Sequence, residues 1–208
     1  MDFASNKGLA IASTPVIIGL VCLFWSETGQ VVDGATGKPL AGVHVVARWD
    51  GQGFAGVVSK HTCFKVEAAQ TNEKGRFSLS PFSWNFNPLL SDRQRTLIFY
   101  KRGFKAPEPV AEPNDSMVAM TADKQTGLDR LKYIGGSAGA ATCGTLQQQR
   151  RALLPLYRAV YEESKEIASS PEDLRWLDSA LHSLESLTMG DDTANQDFRD
   201  RARSREAQ

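Results

Sequence analysis

The chain has 208 residues, of which 41% are hydrophobic, and this is enough for one ordinary domain with a buried core and a smaller appended part. It carries 24 basic and 24 acidic side chains, so its formal net charge is zero. Such a balance gives no electrostatic footprint for a polyanion, and we therefore expect no binding to nucleic acid.

The N-terminal segment departs from this globular composition. No charged side chain occurs between Gly8 and Trp25, and Lys7 stands just ahead of this apolar run. The pattern is typical of an export signal or a short membrane anchor, which we assign to residues 1–26. We expect the rest of the chain to be exported, periplasmic or anchored at the bacterial cell envelope, with membrane contact only through this segment.

The fate of this segment stays open at the sequence level. Leu20, Val21 and Cys22 resemble a degenerate lipobox, which would make Cys22 the lipidated residue, although lipoprotein signals have Gly, Ala or Ser where this chain has Val21. Three alternatives remain: lipidation at Cys22, retention as an uncleaved anchor, and cleavage at a site without the usual small residues.

Cys63 and Cys143 are the two cysteines that remain if Cys22 belongs to the leader. An oxidising compartment favours pairing them. The bridge would close a loop of about 80 residues, for which the chain-entropy account gives about 4 kcal/mol as an upper figure. The alternative is two buried free thiols that act as small hydrophobic side chains.

Residues 27–105 contain short strand signals separated by Gly, Pro and Asn turns. The clearest strand signal alternates along the chain from Val43 to Trp49, with the period of two that a strand with one buried face requires. Further strands are predicted at 28–33, 64–70, 76–80 and 96–100. Short strands joined by tight turns favour an antiparallel sandwich.

Three pieces of this region resemble the carboxypeptidase regulatory-like domains, and they occur in the same order. They are residues 29–43 (GQVVDGATGKPLAGV), 71–77 (TNEKGRF) and 100–104 (YKRGF). The resemblance implies a mainly β protein, with a transthyretin-like antiparallel seven-stranded β-sandwich over residues 27–105. It also implies a non-catalytic accessory or adhesion-like module. It assigns no functional residue, because the matching positions are turn glycines and core hydrophobic residues.

An insertion between the predicted strands carries the candidate binding residues Phe82, Trp84 and Phe86. On a surface, these rings would form a stacking platform for a sugar or a peptide. The alternative is that they fold back and cover an open end of the sandwich.

The C-terminal half is predicted to be a linker followed by helices. Residues 106–142 combine prolines, acidic side chains and a Gly-rich run, which is typical of a linker or a partly ordered loop. Apolar residues recur at helical spacing over residues 143–189, so we expect a helical hairpin there. Residues 190–208 mix aspartate with arginine and are predicted to be a disordered tail.

No residue set has the spacing of a catalytic or metal site. His61 and Cys63 lack further ligands at a suitable spacing, and no Gly-x-Ser-x-Gly motif occurs. We expect no enzyme activity, no cofactor and no metal. The sequence favours a binding or scaffold module of the cell envelope, with an envelope protein, a peptide or a glycan as partner. The alternatives are a carbohydrate- or peptide-binding protein that uses residues 82–86, and an envelope hydrolase.

Overall fold

The computed structural model describes residues 27–55, 58–80, 90–107, 117–143, 151–189 and 191–206. The proposed leader 1–26 with Cys22, and the aromatic residues Phe82, Trp84 and Phe86, lie outside these ranges. Helices and strands take comparable shares of the described chain, so it is a mixture of α and β and the expectation of a mainly β protein is wrong. The extra helical content comes from the C-terminal half.

The described strands form two sheets. The strands are β1 Glu27–Asp33, β2 His44–Ala55, β3 Val58–Gln70, β4 Arg76–Leu79, β5 Leu90–Tyr100, β6 Phe104–Lys105 and β7 Met117–Ala122. Their orders in the two sheets are β4-β1-β7-β6 and β3-β2-β5. β1 is antiparallel to β4 but parallel to β7, so the expectation of a wholly antiparallel arrangement is wrong at this pair. β7 comes from the predicted linker, where buried Val118 and Met120 alternate with exposed neighbours.

Side chains from both sheets share one hydrophobic cluster. The predicted inner stripe of β2, from Val43 to Trp49, is fully buried in it. Phe77 of β4 meets Phe99 of β5 edge-to-face, with ring centres 5.9 Å apart. Each large apolar side chain buried in this way contributes about 1.5–3 kcal/mol to stability. The other members are Val31, Leu79, Leu97, Val118 and Met120.

The second face of the three-stranded sheet is also buried, whereas the alternation in β2 had predicted one buried face. Val46, Ile98 and Tyr100 lie in a second cluster with apolar side chains of the helices. The helices therefore cover the sheet with their apolar stripes. They are α1 Gly127–Ala141, α2 Leu154–Ile167, α3 Arg175–Met189 and α4 Asp191–Glu206.

α2 and α3 correspond to the two helices expected over residues 143–189. The turn of 3₁₀ helix Pro171–Leu174 precedes α3, and the Ser170 N–H donates to the Asp173 carboxylate over 2.9 Å. This bond satisfies a backbone donor at the start of the helical segment. Within the described ranges, none of the helices has the length and apolar character needed to cross a membrane.

The predicted linker and the predicted disordered tail both contain helix. α1 includes the glycine run that had suggested flexibility, and a Cβ added at Gly135 would lie 2.9 Å from the Trp176 ring. α4 occupies most of the expected tail, where Arg201 forms ion pairs with Asp178 over 2.7 Å and Glu185 over 2.9 Å. Tertiary contacts thus override weak local helix propensity in both segments.

A β-bulge sets the direction of Cys63. Trp49 pairs with Lys65 and Asp50 pairs with Cys63, so Phe64 is the extra residue on β3. A bulge changes the alternation of side chains along its strand, and Cys63 consequently lies in the cluster beneath the helices. There it is disulfide-bonded to Cys143, with the two Cα atoms 5.4 Å apart.

Candidate ligand-binding groove

The outer edge of β5, in the three-stranded sheet, forms one side of a groove. β5 pairs with β2, and no other strand in the described part of the chain pairs with β5. Leu97, Ile98 and Phe99 all line the groove, although successive side chains of a strand point to opposite faces. The groove therefore faces the edge of the strand, where alternate N–H and C=O groups point away from the sheet.

Small residues of α1 form the opposite side. Gly136, Ser137 and Ala140 line the groove, with Lys132 one turn before Gly136. A Cβ added at Gly136 would have no neighbouring atom within 4 Å. Because residues four apart lie on one stripe of a helix, Lys132, Gly136 and Ala140 present an open strip with a positive charge at one end.

β6 and the two residues after it close the third side. Lys105, Ala106 and Pro107 line it, and the Ala106 N–H donates to the Tyr133 hydroxyl oxygen over 2.8 Å. The Lys105 Nζ lies 5.8 Å from the centre of the Tyr133 ring. These contacts hold the ring between α1 and β6. The cavity measures about 320 Å³, which is near the lower end of the ~300–1,000 Å³ typical of small-ligand sites.

The charge of the groove is positive. Lys105 and Lys132 are both exposed, and no carboxylate occurs among the lining residues that the structure describes. The remainder of the lining is mostly apolar. A ligand that combines negative charge with apolar groups therefore complements this surface.

A buried ion cluster holds α1 next to the groove. Arg130 is 3% exposed and contacts Asp123 over 2.6 Å and Glu163 over 2.8 Å. Burial alone would lower the pKa of Arg130, but the two carboxylates outweigh it and raise that pKa. Burial, followed by the hydrogen bond to Glu163, raises the pKa of Tyr100 far above its ordinary value. Because the charged groups of this cluster are paired with one another, we interpret it as structural. We call it the Arg130 clamp, since it holds α1 against α2.

A larger cavity of about 470 Å³ lies between α2, α3 and α4. Its lining is strongly charged, but Glu185 pairs with both Arg201 and Arg158, over 2.9 and 3.3 Å. The two arginines and this carboxylate therefore link the three helices to one another. These charged side chains therefore stabilise the packing of the helices. The groove at β5 is the stronger candidate for a binding site.

The histidines of the chain are distributed over three elements. His44 is in β2, His61 is in β3, and His182 of α3 packs on the Phe198 ring with the centres 4.8 Å apart. Within the part of the chain that the structure describes, no three His, Cys, Asp or Glu side chains come together as a metal site. Sequence reasoning missed the groove because it assigned the Gly-rich stretch of α1 to a linker.

Comparison with known proteins identifies no family. No protein-family model matches this chain, and no curated protein matches its sequence. A solved structure of low similarity is that of a 9R-lipoxygenase from Cyanothece PCC8801, which is 13% identical over 89% of this chain with a TM-score of 0.25. The match spans 26% of the lipoxygenase chain. At this TM-score the likeness carries no argument about fold or function.

Proposed function

We propose that this protein is a non-catalytic binding or scaffold module of the bacterial cell envelope. The observation that carries the proposal is the open groove between the edge of β5 and the small-residue face of α1. The Ser137 hydroxyl in the groove donates to the Tyr133 carbonyl over 3.1 Å, so it is already engaged within its own helix. The lining suits the retention of a partner better than the transformation of a substrate.

We further propose that the body is a transthyretin-like seven-stranded β-sandwich. The hydrophobic cluster shared by the four-stranded and the three-stranded sheet supports a sandwich of seven strands. Gly37, Gly42, Gly75 and Gly103 all have positive φ, and all four belong to the segments that resemble carboxypeptidase regulatory-like domains. Positive φ explains why those turns use glycine, since other residues rarely adopt it.

A location outside the cytoplasm is the third part of the proposal. The Cys63–Cys143 bridge supports it, because structural disulfides persist in oxidising compartments and are rare in the cytosol. The uncharged, largely apolar stretch within residues 1–26 supports it independently.

Fractionation of cells that express the full chain tests the location, and assays of the recovered protein with ester, amide and glycoside substrates test the non-catalytic role. A membrane-permeant alkylating reagent is added before lysis and each fraction is then denatured in it without reductant, because both cysteines are buried. We expect the protein in the envelope or periplasmic fraction with Cys63 and Cys143 unmodified. The variant Cys63→Ser is the matched control, because it leaves Cys143 without its partner and shows that the reagent reaches a freed thiol. Recovery from the cytosol with both thiols alkylated would contradict the location, and turnover of an ester, amide or glycoside would contradict the non-catalytic role.

A further inference from the structure

We infer that the groove between β5 and α1 binds an extended peptide with alternating apolar and acidic side chains, which adds to β5 as a further strand. This inference rests on the proposed binding role, since it names the ligand class of the same groove. Three features of the described residues carry it: the free edge of β5, the small residues of α1 and the two lysines at the rim.

The edge of β5 supplies the hydrogen-bonding groups. On its inner side, Phe99 pairs with Val45 and Leu97 pairs with Ala47, so the strand is held in regular register up to the groove. Alternate N–H and C=O groups on the outer side are directed into the space that the cavity occupies. An added strand would extend the order β3-β2-β5 by one position at a spacing of about 4.8 Å. Main-chain bonding of this kind requires an extended peptide.

The small residues of α1 leave room for the added strand. Gly136 and Ala140 lie on the stripe that faces the groove, and larger side chains at these positions would fill it. The helix is also fixed above the sheet, because Arg48 of β2 donates from Nη1 to the Ala140 carbonyl over 3.0 Å. The Arg130 clamp fixes the opposite end. The groove is therefore formed before a ligand arrives, which lowers the entropic cost of binding.

The two lysines select the charge of the peptide. Lys105 follows β5 on one side of the groove, and Lys132 lies on α1 on the other. Successive side chains of an added strand point to opposite faces of the sheet, so every second residue of the peptide faces the small residues of α1 while its neighbours face β6. Acidic residues on the β6 side lie next to Lys105, and Lys132 adds to the same positive potential, whereas basic residues are repelled.

The test uses the full chain and a defined probe. The probe is a fluorescein-labelled octapeptide of alternating glutamate and valine with blocked ends, and its binding is followed by fluorescence anisotropy. One comparison peptide replaces every glutamate by lysine, and a second carries N-methyl groups on every residue, which removes the main-chain donors along both edges. The groove is filled by Gly136→Leu, which has open space around the new side chain. Gly139→Leu is the matched control, because Gly139 lies in the same helix, has equally open space and does not line the groove.

We expect the wild type and Gly139→Leu to bind the glutamate–valine peptide equally, and Gly136→Leu to bind it at least about tenfold more weakly. The N-methylated and lysine peptides should bind poorly, and Lys132→Glu should abolish the preference for the acidic over the basic peptide, because it leaves one lysine and one carboxylate at the groove. Circular dichroism checks that each variant is folded. If Gly136→Leu fails to fold, the charge reversal at Lys132 decides the question.

Several outcomes would overturn the inference. Equal binding of the N-methylated peptide would exclude strand addition, and equal losses in the two leucine variants would place the peptide elsewhere. No binding of the acidic peptide would exclude this ligand class and leave the cellular location, which is tested separately, untouched. Sedimentation that shows a wild-type dimer dissociated by Gly136→Leu alone would assign the groove to a second copy of this chain.

Discussion

Tyr100 at the end of β5 donates its hydroxyl hydrogen to Glu163 Oε2 over 2.7 Å. The same carboxylate contacts Arg130 of α1, where the Nε–Oε1 distance is 2.9 Å. One buried side chain of α2 therefore links the three-stranded sheet to α1, and through Arg130 it also reaches Asp123. The stability of such a buried cluster is sensitive to the loss of any one partner, because water cannot take the place of the lost group.

Removal of the cation from this cluster should strongly destabilise the fold. Arg130→Met leaves Glu163 and Asp123 buried without their partner, and we expect the free energy of unfolding to fall by about 3–5 kcal/mol. Urea denaturation at neutral pH measures it. Arg175→Met is the control, since Arg175 pairs with Glu172 on the surface and its loss should leave stability unchanged. Equal effects of the two substitutions would show that the buried cluster contributes no more than a surface ion pair.

Reduction of the Cys63–Cys143 bridge should destabilise the fold without changing its architecture. The cysteines are 80 residues apart, so the bridge restricts a long loop of the unfolded chain, and the expected loss is at most about 4 kcal/mol. Guanidinium unfolding with and without reductant measures the difference on one sequence. The double variant with Ser at both positions should match the reduced protein. Identical unfolding midpoints in both redox states would contradict a stabilising bridge.

His44 should make stability depend on pH. Burial, and to a smaller degree the charge of Lys101, lower the pKa of His44 below its ordinary value of 6.5. The unfolded chain therefore takes up this proton at a higher pH than the folded chain. As the pH falls from about 7.5 to about 5, the free energy of unfolding should decrease. The advantage of the wild type over His44→Gln should shrink in that window, as measured by urea unfolding at each pH. Parallel pH curves would contradict the lowered pKa.

The local pattern of apolar and polar residues was sufficient to predict those features of the fold that depend on neighbouring residues. The alternation from Val43 to Trp49 predicted the buried inner stripe of β2, because the side chains of a strand alternate whatever the strand pairs with. The pairing of Cys63 with Cys143 was also predicted, although not from local pattern: it followed from the number of cysteines and the expected compartment. The structure places the two Cα atoms 5.4 Å apart.

The features of the fold that the sequence did not predict depend on contacts between residues far apart in the chain. The bulge at Phe64 depends on how β3 pairs with β2, and α4 depends on the Arg201 ion pairs with α3. α1 forms although Gly135 and Gly136 have low helix propensity, because Ile134 and its neighbours pack into the core beneath it. The groove was missed for the same reason, since it exists only where α1 lies beside the edge of β5.

Gly75 should tolerate no side chain, whereas Gly103 should tolerate one at moderate cost. Both have positive φ, at 69° and 73°, so alanine at either position costs about 1–2 kcal/mol in backbone strain. A Cβ at Gly75 would also clash with the Val31 carbonyl oxygen, while one at Gly103 would meet no atom within 4 Å. We expect Gly75→Ala to lower the free energy of unfolding by at least about 2 kcal/mol more than Gly103→Ala. Urea unfolding of the two variants side by side measures this, and equal losses would show that the turn at Gly75 can move away from β1.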